Sequence, residues 1–342
     1  MKVQNTAAWM IIASLTIITL VYGEPIIVPF VIALLIWFVV KKIRNLIDKV
    51  HFIKKYIPTW IKSILASFFI FSLLMFAAEI LIVSIENLSL SYGRYASNVE
   101  IVAEKLNELF NIDINEEITN FMKDFDFTSY LKTLLNSLSE ILGNMVMIVF
   151  YTIFLFIEEG LFGKKLKLIF KDTDGKSDYM LIMRKVDKSM SSYISLKSLI
   201  SLMTTTLSYF ILLGVGIDSP LFWAFLIFVF NFIPSIGPIM GTLLPALFSL
   251  LQFGEFVPFL VILFGVGTVA VLVGSLVEPK LMGNTLNISP LVAILSLAIW
   301  GSLWGIVGML LSVPITVAMI IVFAQFPQTR SIAILLSEKG RI

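Results

Sequence analysis

The chain has 342 residues, 58% of them hydrophobic and 14% charged, with no cysteine, one histidine and a formal net charge of +2. Its mean hydropathy of +0.97 and its charged fraction, against roughly 25% in soluble domains, exclude an ordinary globular protein and point to an integral membrane protein. The missing cysteines exclude a disulfide framework and any Cys-ligated metal.

Residues 1–85 form an N-terminal membrane region with three apolar runs. Trp9–Tyr22 and Pro25–Val40 predict a tight helical pair broken at Gly23-Glu24-Pro25. Only Lys2 precedes the first run and no A-x-A site precedes Gly23, which argues against a cleaved signal peptide. Ile61–Ile85 is a third span, long enough to cross with some tilt. The loop at 41–62 carries Lys41, Lys42, Arg44, Lys49, Lys54, Lys55 and Lys62 against Asp48 alone, so the positive-inside rule places it in the cytoplasm. His51 lies in this basic loop without an acidic ligand cluster and reads as a solvated side chain. No metal or cofactor is expected.

Residues 86–140 carry ten acids, among them Glu86, Glu100, Glu116, Glu117 and Asp124, against Arg94, Lys105, Lys123 and Lys132. This segment is placed outside. Its leucines, valines and Phe110 recur at helical spacing and predict two amphipathic helices, the second running unbroken into a fourth span at Leu142–Ile157. Within 141–197, residues 158–197 turn basic again, with a turn at Asp172-Thr173-Asp174-Gly175 and a cytoplasmic helix whose face bears Met183, Val186 and Met190.

The stretch 198–325 reads as a transport core. A fifth span, Ser198–Ile217, leads outward, and Val257–Val277 leads back inward to Glu278-Pro279-Lys280. Around the second of these lie two similar segments 70 residues apart, 219–251 and 289–322, each opening on Ser-Pro-Leu. Each runs about fifteen apolar residues to a break, Pro234-Ser235-Ile236-Gly237-Pro238 or Gly301-Ser302-Leu303-Trp304-Gly305, then continues to Pro245 or Pro314. An arm of fifteen residues rises about 22 Å in a hydrocarbon core of about 30 Å, so the tips should end inside the membrane. Irregular backbone at that depth needs protein or a watery cavity to satisfy it, and paired interruptions point to a transporter's binding site. One full span separates the hairpins, which therefore point in opposite senses. Two full crossings in place of either hairpin satisfy the charge bias equally. The tail, 326–342, carries Arg330, Lys339 and Arg341 and is placed with the N-terminus in the cytoplasm.

Asn231, three residues before Pro234, reads either as a ligand for a polar solute or as an interhelical hydrogen-bonding group. Pro234, Ser235, Gly237 and Pro238 make the first break, because proline removes an N–H and glycine permits unusual dihedrals. Gly237 and Gly241 also match a small-xxx-small packing face. Asn284, Asn287 and Ser289 either line the entrance of the second hairpin or cap its helix, and Gly305 marks its tip. Trp300 and Trp304 read as packing anchors. Glu278 follows an almost charge-free span. Burial there would favour its neutral form and allow proton coupling, whereas Pro279-Lys280 marks a boundary and a structural or gating role. Glu24 and Glu79 read as interfacial.

No GxxxxGK[ST], GxGxxG after a strand, HExxH or GxSxG occurs, which disfavours an enzyme or an ATP-driven machine. The basic clusters flank apolar spans, where cytoplasmic topology and anionic lipid explain them without nucleic acid.

Three runs taken together, Asn231-Phe232-Ile233-Pro234-Ser235-Ile236-Gly237-Pro238, Leu276-Val277-Glu278-Pro279-Lys280-Leu281-Met282-Gly283 and Trp300-Gly301-Ser302-Leu303-Trp304-Gly305 continuing to Pro314, resemble the autoinducer-2 exporter family. The order of parts is similar over nearly the whole chain. The resemblance implies a multi-spanning transporter, with export of the quorum-sensing furanone signal as the activity that names the family and sodium/proton antiport in some members.

The expected architecture is an all-α, multi-pass protein of the cell membrane with about eight embedded units, two of them inverted hairpins, and an external helical segment. Three functions remain open: secondary transport of a small polar solute with the hairpins enclosing the site, sodium/proton exchange through Glu278, and a non-transporting scaffold acting through the acidic segment. The amphipathic external helices suggest a homo-oligomer.

Overall fold

The computed structural model describes residues 2–49, 55–91, 93, 95, 97–98, 101–102, 104–105, 143–169, 176–282 and 287–340. His51, Asn284 and most of the acidic segment, including nearly all of its two expected amphipathic helices, lie outside these residues. All regular structure among the described residues is helical: α1 (Lys2–Tyr22), α2 (Glu24–Ile47), α3 (Thr59–Leu90), α4 (Met145–Ile169), α5 (Lys176–Val215), α6 (Pro220–Phe230), α7 (Ile236–Phe253), α8 (Phe256–Leu272), a π turn (Val273–Val277), α9 (Glu278–Met282), α10 (Pro290–Phe323) and α11 (Arg330–Leu336). Seven of the described helical stretches are long and apolar enough to cross a membrane; α6, at eleven residues, is not.

Several helices outrun the spans expected from hydropathy, because membrane insertion and helix continuity obey different rules. The separate cytoplasmic helix and fifth span are one rod, α5, of 40 residues. Neither proline nor glycine interrupts it before Gly214, so nothing ends the backbone ladder where the hydrocarbon ends. Glu278-Pro279 likewise does not stop its helix. Proline at 279 has no N–H and would press its ring on the carbonyl four residues back. The π turn in front of it shifts the ladder, and the Glu278 N–H bonds the Val273 carbonyl five residues back.

The chain divides into two compact units. The first comprises 1–70, 143–195 and 284–342. Here α2 packs along α4, and Trp37, Lys41, Arg44 and Asp48 form one face of α2 by their spacing of four, three and four residues. Arg44, 8% exposed, forks onto Glu159 of α4 through Nη2–Oε1 at 2.6 Å and Nη1–Oε2 at 3.2 Å, and also donates to Ser63 Oγ at 3.0 Å. Trp37 donates its indole N–H to Glu159 Oε2 at 3.2 Å. Lys41 pairs with Asp187 at 2.9 Å, and Lys62 pairs with Asp48. α1 touches α2 mainly around the Gly23 joint and leaves Met10, Ile11, Leu15 and Ile18 more than half exposed. The expected tight pair is therefore a jointed one. Its joint is tight nonetheless, since a Cβ on Gly23 would fall 2.4 Å from the Thr19 carbonyl oxygen.

The second unit comprises 71–142 and 196–283. Its core joins Leu81 and Ile85 of α3 to Leu212, Trp223, Phe248 and Ile262. At one end, the Tyr95 hydroxyl donates to Asp218 Oδ2 at 2.7 Å, and Asn98 Nδ2 donates to the Leu251 and Gln252 carbonyls at 2.9 and 2.7 Å. Lys105 reaches the Gly254 carbonyl at 2.8 Å. These donors fill the orphan carbonyls at the end of α7, where a cation also suits the helix dipole. At the unit's other end, Lys197 pairs with Glu278. The acidic segment thus meets 216–254, and the basic segment meets 278.

Candidate functional site: two helix breaks and a polar lane

Both expected breaks exist, one in each unit. In the second unit α6 ends at Phe230, and the Ile233 N–H bonds the Phe230 carbonyl at 2.7 Å to start the turn. Ser235 then takes φ 61° and ψ −48°, and the Ile236 N–H reaches back to the Pro234 carbonyl at 2.6 Å. That is a γ-turn of the rare, positive-φ kind, centred on a residue with a side chain. Such conformations cost about 1–3 kcal/mol and persist only when their surroundings impose them. The constraint comes from the next turn. A Cβ on Gly237 would fall 1.8 Å from the Phe230 carbonyl oxygen, so α7 lies directly on the end of α6 and only glycine fits. A Cβ on Gly241 would meet Ile227 at an ordinary 3.4 Å. Of the small-xxx-small pair, Gly237 alone is sterically obligatory.

Asn231 sits at the C-cap of α6, 8% exposed, and its Nδ2 has no hydrogen-bond partner among the described residues. A buried amide donor left unpaired costs about 1–3 kcal/mol, so this group marks where a water or solute oxygen would be stabilised. Ser235 is exposed and Pro234 half-buried, while Pro238 lines an open, apolar groove of about 460 Å³. The groove continues over Thr242 and Gly267 to Gly274 and Ser275 of the π turn.

Glu278, one residue beyond that turn, accepts a hydrogen bond from Lys197 Nζ at 2.5 Å. The lysine side chain is 9% exposed and the glutamate 29%. Lys197 begins a polar lane along α5 that hydropathy hides. Ser201, Thr204, Thr205 and Ser208 follow it at spacings that keep one helix face. Ser201, Thr204 and Ser208 are at most 2% exposed. Thr204 bonds back to the Ile200 carbonyl, whereas the buried hydroxyls of Ser201, Thr205 and Ser208 have no partner among the described residues. The signal was present in the sequence as a polar stripe of period 3.6 inside an apolar span.

In the first unit, the break lies inside α10. Trp304 takes φ −131° and ψ 23°, and Gly305 takes φ 56° and ψ −138°, a region nearly confined to glycine. A straight helix separates residues 300 and 308 by about 12 Å. Here a Cβ on Gly308 would fall 1.8 Å from the Trp300 carbonyl oxygen, so the chain folds back on itself. Ser235 and Gly305 are 70 residues apart and both have positive φ, so the internal repeat extends to backbone geometry. Trp304, 4% exposed, donates its indole N–H to the Leu20 carbonyl at 3.0 Å and stacks near Trp300 at 5.0 Å. Gly305 itself is exposed with nothing near its Cβ position. Asn287 Oδ1 accepts the Glu338 N–H, and Ser289 makes no side-chain cap. Glu24 and Glu79 are exposed. No group of three or more metal-ligating side chains occurs among the described residues.

The profile described as AI-2E family transporter matches residues 9–328. The AI-2 transport protein TqsA of Escherichia coli K12 is 28% identical over 94% of this chain and 92% of its own length. A Haemophilus influenzae protein named as a candidate transport protein is 29% identical over 92% of this chain and 90% of its own. A Borreliella burgdorferi protein of similar name is 33% identical over 64% of this chain and 61% of its own.

Proposed function

Given that this chain belongs to the AI-2E transporter family, we propose that it is a secondary transporter exporting a small, polar solute, of which the autoinducer-2 furanone is the first candidate. The observation that carries this reading is the first break, where a buried Asn231 amide without a partner among the described residues precedes the strained turn at Ser235, and Pro238 beyond that turn lines an open groove. The orphan hydroxyls of α5 extend the polar surface available in the same unit. The relative named for AI-2 transport supports the furanone. Gly237 and Ser235 hold the turn, Pro234 and Pro238 free or flank backbone carbonyls, and Gly305 supplies the corresponding hinge in the other unit. Asn284 belongs to the same proposal as an entrance residue. The protein sits in the cell membrane with both termini cytoplasmic, and it functions as a homo-oligomer.

The test is flux into proteoliposomes of purified protein under an imposed sodium gradient, a proton gradient or none, with the furanone and other neutral polar solutes. Asn231→Ala, checked for intact folding, should lower solute flux at least tenfold, as losing one hydrogen bond to a buried polar group does at about 1.4 kcal/mol per decade. Wild-type flux indifferent to Asn231 would remove this site.

Sodium/proton antiport is the second reading, and the Lys197–Glu278 pair is the observation that favours it. A carboxylate that must part from its lysine during exchange makes flux pH-dependent. Glu278→Gln should abolish pH-dependent sodium movement while leaving the solute site assembled. Sodium exchange unchanged in that variant would leave the pair a structural clasp.

A further inference from the structure

The first unit contains a polar cavity of its own, unrelated to either break. An open cleft of about 300 Å³ lies between the end of α2 and the middle of α5, lined by Lys42, Asn45, Lys49, Asp187, Lys188 and Ser191 with the neighbouring Ser192 and Leu46. Its volume is at the lower end of the about 300–1,000 Å³ typical of small-ligand clefts. Its charge is one-sided. Asp187, the one acid, is already neutralised by Lys41 at 2.9 Å. Lys42, Lys49 and Lys188 have no ion-pair partner among the described residues, although three ammonium groups around one cleft repel one another. Seryl hydroxyls and an asparagine amide complete a set of donors without a competing free carboxylate among the described residues. Such a lining suits a tetrahedral oxyanion with several acceptor oxygens.

We infer that this cleft binds a phosphate group, presented by an anionic membrane lipid. Depth is what selects lipid as the source. The apolar run of α2 ends at Val40, directly before Lys41 and Lys42, and the fifth span of α5 begins at Ser198, within about two helical turns of Ser191 and Ser192. The cleft therefore starts at the edge of the hydrocarbon, at headgroup level, on the side that the basic loops assign to the cytoplasm. Lys41, Arg44 and Asp48 are engaged by Asp187, Glu159 and Lys62. The free lysines of α2 lie beside this pinned face and are left for a ligand.

Native mass spectrometry of the purified full-length protein measures the inference, with phosphatidylglycerol as probe and phosphatidylcholine as zwitterionic comparison. Phosphatidylglycerol should be retained at least fivefold over phosphatidylcholine, and the triple variant Lys42→Gln, Lys49→Gln, Lys188→Gln should lose that preference. The triple arginine variant should keep it, which separates loss of charge from loss of fold. Lys165→Gln, at an exposed lysine paired with Glu158, should have no effect. Equal retention of both lipids, or undiminished preference in the glutamine variant, overturns the inference. Millimolar inorganic phosphate provides the second arm. If it stabilises the wild type but not the glutamine variant while phosphatidylglycerol is retained no better than phosphatidylcholine, the phosphate chemistry stands and the lipid source is overturned. The readout is binding, so its failure leaves the transport proposal untouched.

Discussion

Single residues set what the first break can be. Gly237 has no room for a methyl group, because the Phe230 carbonyl oxygen occupies its place at 1.8 Å. Gly237→Ala must push α7 off α6 and should destabilise the purified protein by about 1–3 kcal/mol, the usual cost of overpacking. Gly241→Ala, whose methyl meets Ile227 at contact distance, should stay within about 0.5 kcal/mol. Thermal unfolding in detergent compares the two, and equal shifts would contradict the steric reading. The sequence announced both glycines by one motif and could not rank them, since the ranking depends on which glycine abuts a carbonyl. Asn231 was legible by its distance from Pro234. That its amide lacks a partner was not, because satisfaction depends on every neighbour in the fold. Glu278 was legible as an isolated acid, whereas Lys197 was read only as one more basic charge in a cytoplasmic stretch.

At the scale of helices, the presence of long apolar helices was legible and the boundaries set by hydrogen bonding were not. α5 continues for 40 residues through a polar-to-apolar transition, and α9 continues through Pro279 because the π turn precedes it. The break points, by contrast, were legible because Pro-x-x-Gly-Pro and Gly-x-x-Trp-Gly have local causes. The face of α2 bearing Trp37, Lys41, Arg44 and Asp48 was treated as a topology signal alone. Its regular spacing was the overlooked clue, and the structure turns it into the seam that fixes α2 to α3, α4 and α5. Arg44→Met leaves Glu159 largely buried without its cation and should cost about 3–5 kcal/mol. Adding Glu159→Leu should restore most of that loss, because an apolar pair can replace a buried ion pair at little net cost. Unfolding of the single and double variants by denaturing detergent gives the comparison. A double variant as unstable as the single would show that the seam depends on the ion pair for more than its charge balance.

For the whole molecule, the repeat of 70 residues and the seven membrane-length helices agree with membership of the transporter family. The division into two units was not legible. The reason is that each unit is assembled from distant parts of the chain, 1–70 with 143–195 and 284–342 in one case. Hydropathy is read along the chain and is blind to such closure. The same blindness covers Trp304, whose indole finds a carbonyl 284 residues away. That carbonyl belongs to Leu20, three residues before the joint at Gly23. Among the described side chains of α1, most of the apolar ones are uncovered. The indole thus acts as a leash between the first helix and the hinge at Gly305. Trp304→Phe keeps the ring and cuts the leash, orphaning a carbonyl at about 1–3 kcal/mol, and should speed protease cleavage near Gly23 severalfold. A bulky tag fused before Lys2 would pull on the same leash, so the placement of a tag at one terminus or the other should itself change how the hinge moves.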